Sequence, residues 1–278
     1  MHDDRRHPFR DSVADSQTAE AVPATPQTQS PSYRLAFADP DFLLREELRP
    51  VRLQLELLKP QLALDEAGIT STIVLFGGAR VRETPQGVNP TLDALSPHYA
   101  EARRFARLVT ARSLATGGTG DVIITGGGPG VMEAGNRGAA DAGGRSIGLN
   151  IVLPHEQAPN PYVTPELSFN FHYFALRKMH FLMRARAICV FPGGFGTLDE
   201  MFESLTLIQT GRMAQVPFLL FGRAFWDKVV NFAALAEAGV ISPQDLNLFR
   251  FVDTAEQALA AIDTWPDPDA KRHTLPGR

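Results

Sequence analysis

Three apolar runs in this chain of 278 residues stop abruptly in glycine: VLFGGAR (74–80), ITGGGPG (124–130) and VFPGGFGT (190–197). A stretch with helical spacing of apolar residues follows each, so each glycine cluster marks a turn from a strand into a helix. Strands that alternate with helices are joined by crossovers, which makes the sheet mainly parallel and covers both of its faces with helices. The expected fold is therefore α/β, a doubly wound, mainly parallel sheet. In such a sheet the strand-to-helix turns open on one edge, and ligands bind there, where strand order reverses. Nine of the 23 glycines fall in the three turns. Each turn lets a ligand approach the backbone, and the helix start behind it offers unpaired N–H groups and a positive dipole end to an anion.

The rest of the chain fits this plan. STIVLF (71–76), DVIIT (121–125), RSIGLNIVL, LSFNF, AICVF and VPFLLF are strand candidates. Tyr99, Ala102, Ala106 and Val109 mark one helix face, and further helices are expected at about 130–142, 172–185, 197–210 and 223–238. Before the first strand, Asp39 is an N-cap candidate with Pro40 at the first helical position. Leu44, Leu48, Val51, Leu55, Leu58 and Leu62 then form one stripe, with Pro50 expected to kink or split the helix. Residues 1–33 are rich in Ser, Thr, Gln, Pro and Ala and poor in large apolar side chains, as expected of a disordered tail. The division expected is a tail (1–33), a helical extension (34–70), a single domain (71–263) and a flexible tail (264–278).

Composition narrows the function classes. A net charge of −4 gives no global field for nucleic acid or anionic membrane, and no apolar run is long enough to span a bilayer. The lone cysteine, Cys189, has no partner for an internal disulfide, which fits a reducing, cytoplasmic setting. No glycine precedes a lysine, so there is no P-loop, and Val131 and Asp199 stand where a dinucleotide fingerprint needs its third glycine. His98, His155, His172 and His180 lack ligand spacing, so no metal is expected. Gly-x-Ser-x-Gly is absent.

Two segments remain for chemistry. In PGGFGTLDEMFESLTLIQTG (192–211), Thr197 and Glu200 have the spacing of a capping box, which alone would account for both. The same spacing also sets a carboxylate one turn inside a helix whose start, with Gly193, Gly194, Phe195, Gly196 and Thr197, is suited to a phosphate. Upstream, Arg177 and Lys178 interrupt the apolar residues of FHYFALRKMHFLMRARA, either as the solvated edge of a helix or as a cationic clamp on the anion site.

Together, GGGPGVMEAGNRGA (126–139), the Arg177-Lys178 pair and PGGFGTLDE (192–200) resemble the Lonely guy family, in the same order and spacing. The resemblance covers about residues 70–240. It implies a Rossmann-like phosphoribohydrolase acting on AMP or on cytokinin riboside 5′-monophosphates, and within the family it points to the bacterial, AMP nucleosidase type. By motif it makes Arg177 and Glu200 the catalytic pair. Substrate contacts would come from Gly127, Gly128, Lys178, the loop Gly193 to Thr197, and Thr206, with Glu156 in a family Pro-x-Glu position. It implies no cofactor, a small-molecule nucleotide as partner, neither nucleic acid nor membrane, and a homo-oligomer. The chain departs from short family members by about 70 added N-terminal residues and in its first glycine turn, FGGARV. An older label for the family, lysine decarboxylase-like, implies a Schiff-base lysine for pyridoxal phosphate. Of Lys59, Lys178, Lys228 and Lys271, only Lys178 lies near a motif. A non-catalytic nucleotide sensor is the alternative, and such a protein would not need the Arg177–Glu200 pair.

Overall fold

A computed structural model describes residues 10–154 and 158–266. Contacts divide the chain into two compact units, up to Glu56 and from Leu57 onward, rather than at residue 70.

In the first unit, a helix stands within the stretch expected to be disordered. α1 (Ser12–Glu20) is capped by the Asp11 side chain on the Val13 N–H, but it buries no residue, so local hydrogen bonds and the Arg10–Asp15 ion pair are what support it. Asp39 caps α2 (Pro40–Leu43) as its position suggests, yet that helix lasts only four residues. α3 (Arg49–Glu66) starts afresh with Pro50 in its first turn, where a missing N–H is harmless. It runs past Glu56 and buries Pro60 and Leu64. The apolar stripe is not covered: Val51, Leu55, Leu58 and Leu62 are all exposed.

The second unit is the α/β sheet. β1 (Thr72–Phe76), β2 (Val122–Thr125), β3 (Ser146–Ile151), β4 (Ser168–Phe171), β5 (Ala185–Val190), β6 (Phe218–Phe221) and β7 (Arg250–Val252) stand in the order β4-β3-β2-β1-β5-β6-β7. Every pairing is parallel. After β1 the chain builds outward through β2, β3 and β4. It then returns to lay β5 against the other side of β1, so strand order reverses between β1 and β5.

Between the strands lie α4 (Pro90–Asp93), α5 (Ser96–Leu114), α6 (Val131–Asp141), α7 (Phe174–Met183), α8 (Phe195–Gln209), α9 (Arg223–Val229), α10 (Phe232–Glu237) and α11 (Ala255–Asp263). They cover both faces through two apolar cores. One joins Val74, Ile124, Phe181 and Met201, and the other joins Ile73, Leu75, Phe105, Ala106 and Phe221. β1 and β2 are buried on both sides, which is why they read as continuous apolar, β-branched-rich runs rather than as alternation. Among the described residues, no helix is long and apolar enough to cross a membrane.

Candidate active site

The three glycine turns meet at the carboxyl ends of β1, β2 and β5. The Gly78 N–H donates to Pro192 O at 2.9 Å, and Gly78 O accepts from the Val131 N–H at 3.2 Å, so the first turn stitches the other two together. Gly130 makes this possible. Its φ of +70° lies in the left-handed region, and a Cβ there would sit 2.4 Å from Gly78 O.

α8 begins earlier than the capping-box spacing suggests. Its N-cap is Gly194, without a side-chain cap, and Phe195 is the first helical residue. Thr197 therefore lies inside the first turn, where its side chain packs on Gly193, and Glu200 lies in the second. The capping box does not form, because the backbone of an exposed Gly194 starts the helix and leaves Thr197 no capping position to fill. The first intrahelical bond runs from the Leu198 N–H to Gly194 O. Among the described residues, no acceptor takes the N–H groups of Phe195, Gly196 and Thr197, the usual state of a first turn and a ready anion site.

Arg177 and Glu200 come together from opposite sides of the strand reversal. Arg177, on α7, is 8% exposed. Its Nε donates to Leu149 O of β3 at 2.7 Å, and one terminal nitrogen reaches Glu200 Oε1 at 3.3 Å. The guanidinium also lies 5.1 Å from the Phe181 ring centroid. The other terminal nitrogen fits because residue 126 is glycine: a Cβ there would stand 2.5 Å away. Burial pushes Glu200 up to about 7. Arg177 and Lys178 oppose that shift, and Asp199 and Glu203 reinforce it. Burial also lowers the pKa of Arg177, with Glu200 opposing, but a guanidinium remains charged throughout the working range. The result is a carboxyl group poised between its two protonation states near neutral pH, beside a fixed positive charge.

Lys178 faces the other way. Its Nζ pairs with Glu203 at 2.8 Å and Asp199 at 3.2 Å. Burial works to lower its pKa, but the hydrogen bonds to Glu203 and Asp199 outweigh this and the net shift is upward. That is the wrong direction for a Schiff-base nucleophile, which must be neutral to attack, so the residues present do not fit pyridoxal phosphate.

The other sequence candidates are distributed unevenly. Gly127 and Gly128 lie in the second turn. Phe195 is 92% exposed at the mouth of the third. Thr206 stands six residues beyond Glu200, about 9 Å farther along the helix, and its hydroxyl bonds back to Phe202 O at 2.7 Å, so it does not join the cluster. Glu156 lies outside the described residues. Asn136, Asn150 and Asn160, buried around the second turn, carried no assignment from sequence. A lone amide in the apolar face of α6 was the available signal for Asn136.

The family model described as "Possible lysine decarboxylase" matches residues 132–262. A probable cytokinin riboside 5′-monophosphate phosphoribohydrolase of rice (Oryza sativa subsp. japonica) is 26% identical over 151 residues, which is 53% of this chain and 60% of the rice protein. A cytokinin riboside 5′-monophosphate phosphoribohydrolase of Arabidopsis thaliana is 25% identical over 148 residues, covering 52% of this chain and 67% of its own. The chain is similar to the Lonely guy family. Among solved structures, a molybdenum cofactor binding protein from Rippkaea orientalis aligns at a TM-score of 0.48 and 18% identity, covering 70% of this chain and 96% of that chain.

Proposed function

We propose that this protein hydrolyses the N-glycosidic bond of a purine nucleoside 5′-monophosphate, AMP or a cytokinin riboside 5′-monophosphate, to free base and ribose 5-phosphate. The observation that carries the reading is the buried Arg177–Glu200 pair beside the open first turn of α8. Those N–H groups and the dipole end suit the 5′-phosphate, and binding energy gathered there positions the sugar. Bond cleavage builds positive charge on the ribose ring, as in glycoside hydrolysis. Ionised Glu200 stabilises that charge and takes a proton from the attacking water, while the departing base leaves with the bonding electron pair and in net terms receives that proton, passed on by Glu200 or through solvent. A base with a pKa near the working pH is effective in this role. Arg177 has its Nε committed to Leu149 O and a terminal nitrogen committed to Glu200, so its part is to orient the carboxylate rather than to reach the base.

The test is incubation of purified protein with AMP, following adenine and ribose 5-phosphate, for the wild type and Glu200→Gln. Turnover by the wild type, with a loss of roughly a thousandfold in kcat and retained AMP binding in the variant, supports the reading. AMP binding without any turnover by the wild type would instead make the protein a nucleotide sensor. The exposed stripe of α3, with its alternating spacings of four and three, also supports a helix-to-helix contact between two copies of the chain. Leu55→Glu with Leu58→Glu is then expected to convert a dimer, measured by light scattering, to a monomer. An unchanged mass would remove that contact.

A further inference from the structure

The second glycine turn is held by a chain of buried amides. Asn136, on α6, is 0% exposed, and its Oδ1 accepts from Thr125 Oγ1 at 2.7 Å and from Asn160 Nδ2 at 2.9 Å. Its own Nδ2 donates to Ser146 Oγ at 3.0 Å. Asn160, 7% exposed, reaches the turn directly: Nδ2 lies 3.0 Å from both Gly127 O and Gly128 O, and the Asn160 N–H donates to Gly127 O at 2.8 Å. Asn160 Oδ1 accepts from the Tyr162 N–H at 3.2 Å, which fixes the amide's orientation. Buried amides unpaired by this much would be costly, so a network this fully satisfied has one arrangement.

The consequence follows from peptide planarity. In a trans peptide the C=O and the next N–H point in opposite directions. Because Gly127 O turns inward onto Asn160, the Gly128 N–H turns outward, and no acceptor among the described residues takes it. The following peptide nitrogen belongs to Pro129 and has no hydrogen. The turn therefore presents the Gly128 N–H as a directed donor at the sheet edge where the first turn of α8 also opens.

We infer that Asn160, anchored by Asn136, is a positioning residue that sets the Gly128 N–H as a donor to an oxygen of the sugar phosphate. The inference rests on the nucleotide reading above. Asn160→Ala removes the inward pull, and Asn160→Asp puts a carboxylate oxygen against three oxygen acceptors. For both, KM for AMP is expected to rise at least tenfold with kcat within about threefold of the wild type, the aspartate variant being the weaker. Asn160→Ser keeps a hydroxyl donor over the same carbonyls, is expected to give an intermediate KM, and stands in where the alanine variant does not fold. A scaffold role alone would lower the melting temperature without this split between KM and kcat. An unchanged KM, or a fall confined to kcat, overturns the inference while leaving the hydrolase reading intact. If the wild type does not turn over AMP, that reading fails first, and calorimetry with ribose 5-phosphate decides the inference. Binding at least tenfold weaker in Asn160→Ala than in the wild type supports it; equal affinity, or no binding by the wild type, overturns it.

Discussion

The second and third glycine turns are spelled almost alike, GGGPG and PGGFG, yet Gly126, Gly127 and Gly130 of the one differ from Gly194 and Gly196 of the other. In the second, an added Cβ would strike the Arg177 guanidinium at residue 126, the Asn150 amide at residue 127 and the Gly78 carbonyl at residue 130, each at 2.4 to 2.5 Å. In the third, a Cβ at Gly194 or Gly196 would meet nothing within 4 Å, and neither residue has a positive φ. The first set is glycine because the protein fills the space. At Gly194 and Gly196 no contact within the described residues requires glycine. The comparison separates a turn whose glycines are dictated by packing from a turn whose glycines leave open space, and neither spacing nor composition distinguishes them.

Substitutions at matched places test that separation most directly. Gly130→Ala must accommodate a positive φ and a backbone collision, and should cost about 3 kcal/mol in chemical denaturation. A loss under about 1 kcal/mol would show that the second turn yields more easily than its packing implies. Gly194→Ala should leave stability within about 0.5 kcal/mol and raise KM for AMP by about tenfold, equivalent to about 1.4 kcal/mol of binding. If stability falls and KM does not change, the third turn is scaffold after all. The smallest effect concerns Glu200, which is ionised above about 7 and protonated below it. Activity that needs the carboxylate therefore falls as pH drops through that value. Asp199 helps to hold the pKa up, so Asp199→Asn should move the acid limb of kcat/KM to lower pH by some tenths of a unit. A limb that stays in place, or moves upward, would assign it to another group.

Much of the fold is legible in the residues because its signals are local. The β-branched runs ending in glycine are β1, β2 and β5, and the face marked by Tyr99, Ala102, Ala106 and Val109 is wholly buried. β7 escapes notice because three residues that begin with an arginine carry no strand pattern, and pairing with β6 is what makes them a strand. The region expected as one helix at 223–238 is two, α9 and α10, divided where Val230 turns to extended backbone and Asn231 caps the second.

The candidate site divides along the same line. Arg177 and Glu200 are visible in sequence as charges next to apolar or glycine-rich segments, but the 3.3 Å contact between them is a product of topology. Asn160 and Leu149 O were not visible. One acts through an amide on a distant turn and the other through a backbone carbonyl, and neither kind of contact leaves a trace in residue spacing.

Arg177 is tethered by a carbonyl of β3, on one side of β1, while Glu200 rides the helix that follows β5 on the other. The two halves of the sheet are thus the jaws of a single vice, and neither alone holds the pair. A chain that has formed every strand on one side of β1 still lacks the Arg177–Glu200 pair. The appearance of this ion pair during refolding therefore reports the meeting of the halves, not the growth of either.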